Sequence, residues 1–154
     1  MTSLDLSLQY DKIYRFCYFK LKNSHLAEDI TQETFLKYCE HYEFSSEREA
    51  LKILYTIAGN LCIDEFRKTK PVAIEDDIQS PSHEDGVIEN LSVRRALSRL
   101  KAEEQELLLL RYANDLQIGV IAGILKISRF AVRRKILAAK EHLKAELMKE
   151  GTYE

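Results

Sequence analysis

Apolar residues in this chain recur mainly at three- and four-residue intervals, the repeat of an α-helix with one buried face. Leu6 to Leu21 is broadly apolar and rich in Tyr and Phe, which predicts a first helix. "NSHLAEDITQETFLKYCEHY" predicts a second, with Ser24 as the expected N-cap and Glu28 and Asp29 near the positive helix end. "FSSERE" interrupts the pattern, and Ala50 to Lys68 resumes it. Further on, helices are expected over Val87–Leu100, Ala102–Tyr112, Gln117–Leu125 and Arg129–Met148, with a turn at Asn114–Asp115.

Composition agrees with an all-α chain: five Gly, two Pro, 45% hydrophobic and 31% charged residues. Both prolines lie in "PVAIEDDIQSPSHEDG", which holds no cation. Proline breaks helices and clustered carboxylates extend a chain, so a flexible linker is expected over residues 71–86. Formal charge is −1 over residues 1–70, −6 over 71–90 and +5 over 91–154. The expected architecture is therefore two small helical bundles, residues 1–70 and 87–154, joined by a flexible acidic linker.

The positive charge is concentrated near the end of the chain. Ile118, Ile121, Ala122 and Leu125 line one face of a short helix, followed by Lys126-Ile127-Ser128 and a long helix with a seam of Val132, Ile136, Ala139 and Leu143. Two helices joined by so short a turn form a helix-turn-helix. At about 100° per residue, Arg134 lies opposite that seam. Arg133 and Lys135 flank it, and Phe130 and Leu137 share the outward surface. In a major groove, Arg reaches guanine N7 and O6 while apolar groups meet thymine methyls. Gly119 and Gly123 weaken the first helix, and Lys126 occupies a turn position that favours Gly, so tertiary packing has to hold this motif.

Two other faces stand out. Lys52, Thr56, Asn60, Ile63 and Arg67 form a mixed polar stripe suited to phosphates and base edges, with Leu54, Tyr55, Ala58, Leu61 and Phe66 elsewhere on the wheel. Asp29, Gln32, Glu33, Leu36 and Glu40 form an acidic face opposite Ala27, Ile30, Thr31, Thr34 and Tyr38. Such a face repels DNA and suits a basic protein surface.

Other chemistries find little support. His25, His41, His83 and His142 are scattered, and no metalloprotease, phosphate-loop or nucleophile–base motif occurs. Cys17, Cys39 and Cys62 lack metal-ligand spacing and are expected as buried reduced thiols. No metal, cofactor or catalysis is expected, nor any membrane insertion, and the absence of a signal-peptide pattern points to the cytoplasm.

The segments "AEDITQETFLKYCEHYEF", "LYTIAGNLCIDEFRK" and "ALSRLKAEEQELLLLRYANDLQIGVIAGILKISRFAVRRKILAAKEHLK" resemble, in order and spacing, the extracytoplasmic-function sigma factors of bacterial RNA polymerase. The resemblance covers most of residues 8–147 except the linker. It implies that Asp29, Gln32, Glu33 and Leu36 meet the basic clamp helices of the largest subunit of core RNA polymerase. A loop at Ser45–Glu49, with Ser45, Ser46 and Arg48, would capture a flipped minus-ten base. Lys52, Thr56, Asn60, Asp64, Arg67 and Lys68 would lie along the adjoining promoter DNA. Arg129, Phe130, Arg133, Arg134, Lys135 and Leu137 would approach the minus-thirty-five element. The linker would follow the channel later taken by nascent RNA, and an anti-sigma factor is an implied further partner. Two positions depart from the pattern: Ile53 replaces an aromatic residue, and Arg129-Phe130-Ala131 replaces the usual acidic-small-Thr start of the reading helix. The competing reading is a stand-alone helix-turn-helix regulator, which predicts dimers and tight DNA binding without polymerase. A helical enzyme and a protein-only adaptor fit the pattern less well.

Overall fold

The computed structural model describes residues 5–41, 46–69 and 91–150. The chain divides into two compact units, Met1–Ile78 and Gln79–Glu154. All regular secondary structure among the described residues is helical. The expected linker, residues 71–86, and Ser45 lie outside the described residues.

The first unit is a bundle of α1 (Leu6–Leu21), α2 (Ser24–His41) and α3 (Glu47–Thr69), each packed against the other two. Asp5 caps α1 by accepting from the Leu8 backbone N–H at 3.2 Å. Lys22 ends the helix in a left-handed conformation, and its N–H returns to the Tyr18 carbonyl. The cap of α2 is Asn23, one residue before the expected Ser24: its Oδ1 accepts from Leu26 N at 2.9 Å, so Ser24 is already helical. Asn is as good an N-cap as Ser, and an asparagine directly before a serine leaves propensity unable to choose between them.

Helix α3 begins three residues earlier than the hydrophobic pattern predicts. Ser46 Oγ accepts from Glu49 N at 3.1 Å, and Glu47 and Glu49 favour the positive end of the helix. Arg48 and Glu49 are therefore helical, which corrects the expected loop at Ser45–Glu49 over its described part. Phe16 of α1 meets Tyr55 of α3 edge-on, with ring centroids 5.2 Å apart, at the centre of the core. Cys17 and Cys62 are buried as expected, whereas Cys39 is exposed. A hydrogen bond with Cys62 lowers the Cys17 thiol below its ordinary pKa despite burial.

The second unit is built around α7 (Arg129–Glu150), which contacts α4 (Leu91–Ser98), α5 (Ala102–Leu108) and α6 (Ile118–Leu125). The first residues of the predicted helix 87–100 lie outside the described set, and α4 ends at Ser98. The predicted helix to Tyr112 is α-helical only through Leu108. It finishes in a wider π-type turn, Leu109–Ala113, closed by Asn114 N donating to Leu109 O at 2.8 Å. One extra residue in the turn keeps Leu110 in the core and swings Tyr112 out. Asn114 is buried and Asp115 is left-handed, with φ 57°, at the expected turn.

Candidate nucleic-acid and protein interfaces

On α2, Ala27, Ile30, Thr31, Thr34 and Tyr38 are buried, which leaves Asp29, Gln32, Glu33, Leu36 and Glu40 facing outward. Burying two threonines requires partners for their hydroxyls. Thr31 Oγ1 donates to Ala27 O at 2.6 Å, and Thr34 Oγ1 donates to Ile30 O at 2.7 Å. The outward residues line a shallow open depression together with Lys37. Leu36 is 62% exposed within it. At the edge of this face, Glu28 accepts from Tyr10 Oη at 3.0 Å and from Gln32 Nε2 at 3.2 Å. Burial, then the bond to Glu28, raises the Tyr10 pKa.

On α3, Thr56, Asn60, Ile63, Asp64, Arg67 and Lys68 are exposed and Lys52 is half-buried. Arg67 lies 3.8 Å from Asp64, an exposed pair that water and salt screen strongly. Gly59 lies half-buried beside this stripe with nothing within 4 Å of where a Cβ would stand, which leaves the backbone open to close approach. Phe66, set apart from the stripe on the wheel, is exposed beside Ile63. It sits three residues after Ile63 on the same helix, and that spacing was the available signal.

On α7, Val132, Ile136 and Ala139 are buried and Leu143 is half-buried, as the seam predicts. Ser128 Oγ caps the helix by accepting from Ala131 N at 3.0 Å, and Lys126 adopts the left-handed conformation (φ 62°) that the short turn needs. Arg129, Phe130, Arg133, Arg134 and Leu137 are all exposed, and the Arg134 guanidinium carbon lies over the Phe130 ring, 5.5 Å from its centroid. Lys135 takes a different place. It is half-buried and its ammonium lies 3.3 Å from Glu103 of α5, tying two helices together beside the exposed surface.

Residues 8–72 match the Sigma-70 region 2 family and residues 90–143 match Sigma-70 region 4. The ECF RNA polymerase sigma factor SigW of Bacillus subtilis is 32% identical over 89% of this chain and 83% of its own. SigM of the same bacterium is 32% identical over 86% of each chain. This chain belongs to the extracytoplasmic-function sigma factors, which direct transcription initiation by RNA polymerase.

The fold agrees with this sigma factor's relatives. The sigma factor RpoE of Bartonella quintana, solved in complex with the anti-sigma factor NepR, superposes with a TM-score of 0.67. The alignment covers 94% of both chains at 21% identity. The sigma factor's first unit therefore holds the region 2 match and its second the region 4 match, with the helix-turn-helix formed by α6 and α7. One further exposed aromatic lies in the second unit. Tyr112 is exposed and lies between the Arg111 guanidinium at 6.0 Å and the Lys140 ammonium at 5.7 Å. Tyr112 belongs to the widened turn, which shifts it from its place in a regular helical repeat. Among the described residues, no helix is long and apolar enough to cross a membrane.

Proposed function

We propose that this sigma factor grips core RNA polymerase through the acidic α2 face and reads promoter DNA through α3 and α7. The observation that carries the reading is a reversal of charge between two outward faces of one chain. The α2 face offers Asp29, Glu33 and Glu40 around an exposed Leu36, whereas the first three turns of α7 offer Arg129, Arg133 and Arg134 and no carboxylate. An acidic face with an apolar centre fits a basic, partly apolar helical protein surface such as the clamp helices. A basic helix with its outward side free fits a major groove. Ser46 and Arg48, at the start of α3, and Lys52, Thr56, Asn60, Asp64, Arg67 and Lys68 along it follow the minus-ten region. Ser45, outside the described residues, is assigned with them. Phe66 and Ile63 add an apolar surface on which an unpaired base can stack.

Residues 1–70 and 87–154 act as the two working modules, with 71–86 as an acidic tether. A chain of net charge −2 binds DNA weakly alone, because affinity follows the number of phosphates neutralised. Core polymerase supplies the remaining contacts and holds both modules at high effective concentration. The protein works as a non-catalytic subunit in the bacterial cytoplasm, and an anti-sigma factor is its natural regulator.

Run-off transcription with purified core enzyme on genomic fragments, followed by start-site mapping, tests this directly. Defined starts that appear only when the sigma factor is added are expected. Gel shifts should show promoter binding by the holoenzyme and little by the free protein. Equal, tight binding by the free protein would favour the stand-alone regulator.

A further inference from the structure

We propose that Cys17 and Cys62 form a peroxide-responsive disulfide that staples α1 to α3 inside the first unit. The inference is independent of how the protein meets polymerase or promoter.

The two thiols lie on different helices, with about 45 residues between them in the chain. Both are buried, Cys17 at 0% and Cys62 at 1% exposure. A side-chain hydrogen bond joins them, and a second joins Cys17 to Thr31 of α2, so all three helices meet at this point. Phe16, beside Cys17 on α1, packs edge-on against Tyr55, which stands seven residues before Cys62 on one face of α3. One seam between α1 and α3 therefore holds the ring pair and the thiol pair. A disulfide needs its sulfurs about 2.0 Å apart, which thiols already in hydrogen-bond contact reach by a χ1 rotation and a slight helix shift. Cys39, exposed on α2, lies outside this buried cluster.

Buried thiols are as a rule inert, because burial disfavours the thiolate that attacks an oxidant. Cys17 departs from that rule. Its hydrogen bond with Cys62 outweighs burial, Thr31 and the charge of Lys20 add to it, and the thiol ionises below its ordinary pKa. The Cys17 thiolate attacks one oxygen of hydrogen peroxide. The O–O bond breaks, hydroxide leaves and takes up a proton as water, and Cys17 becomes a sulfenic acid. The Cys62 sulfur then attacks Cys17 Sγ, the S–O bond breaks, and the departing hydroxide takes the Cys62 proton to form a second water. The two thiols lose two electrons and two protons, and the peroxide is reduced to water. Peroxide is small enough to enter during local opening of the bundle.

The staple joins inward faces, so the outward residues of α2 and α3 stay available. Its effect is on stability. It closes a loop of about 45 residues and so restricts the unfolded chain, which holds the first unit folded more firmly when peroxide is present.

The test uses the full chain with Cys39→Ser, which leaves only the two buried cysteines. After exposure to hydrogen peroxide, titration in denaturant should find no free thiol, and the intact mass should fall by two hydrogens. Peptide mapping without reductant should recover Cys17 linked to Cys62. The unfolding transition of the first unit should rise by about 10 °C or more and return when dithiothreitol is added. That of the second unit, which holds no cysteine, should not move. Adding Cys62→Ala should abolish the rise and turn the loss of mass into a gain of oxygen on Cys17. Where that second variant fails to fold, the peptide map of the first decides the connectivity. Thiols still free after peroxide, oxygen on each sulfur without a link, or linked cysteines with no rise in melting temperature would each overturn the proposal.

Discussion

Helices α2 and α7 solve the same packing problem and present opposite surfaces. Each buries one seam against two or more neighbouring helices and leaves its other side outward. The α7 seam is apolar, with Val132, Ile136 and Ala139, while α2 buries Thr31 and Thr34 and satisfies their hydroxyls on its own backbone. Outward, α2 carries carboxylates around Leu36, and α7 carries guanidinium groups around Phe130 and Leu137. The inward pattern builds the bundle, and the outward charge is what the proposed choice of partner rests on.

The sharpest way to break this comparison is to invert the α2 face. Asp29→Lys with Glu33→Lys should weaken core-polymerase binding more than a hundredfold, measured by pull-down or anisotropy, because like charges across a docked interface cost several kcal/mol. Helicity should not change, since both side chains are exposed. On the other face, Arg133→Ala with Arg134→Ala should reduce promoter selectivity by about ten- to a hundredfold while polymerase binding persists, read by competition between promoter and random fragments. If α7 meets only protein, that second variant transcribes normally.

Smaller effects sharpen the contrast between the two seams. Val132→Ala should destabilise the second unit by about 2 kcal/mol in denaturant unfolding, through a cavity beneath α7. Thr31→Val, at an equally buried position of α2, should change the first unit by less than about 1 kcal/mol. The valine keeps the shape, and the Ala27 carbonyl retains its helical partner. The caps come last: Ser46→Ala and Ser128→Ala should each cost about 1 kcal/mol in their own unit only.

Much of this is legible in the amino-acid sequence. The seam of α7, the outward placement of Arg134, the Ser128 cap and the left-handed Lys126 all follow from spacing and turn chemistry, and each is found as expected. The acidic face of α2 and the exposed stripe of α3 were equally readable, with Lys52 only partly exposed. Boundaries were harder. The hydrophobic period starts α3 at Ala50, but a Ser46 cap and two early glutamates extend it by a turn that buries almost nothing. Periodicity detects burial and is silent about turns held only by capping.

Lys135 shows the complementary failure. Its place between Arg134 and the seam allows it to point outward to DNA or sideways to protein. Glu103, thirty-two residues earlier, draws it sideways. Cys39, expected buried with the other two thiols, is exposed: residue type favours the interior, but how far the neighbours cover a position depends on packing.

The order of residues by itself determined that this protein is two helical modules with opposed charges, because amphipathic spacing and charge are local properties of the chain. Tertiary structure decided which borderline side chains are exposed, that Lys135 is tied to Glu103, and that the turn after Leu108 widens to turn Tyr112 outward between Arg111 and Lys140. These outcomes depend on residues brought together from distant positions, and no local pattern encodes such meetings.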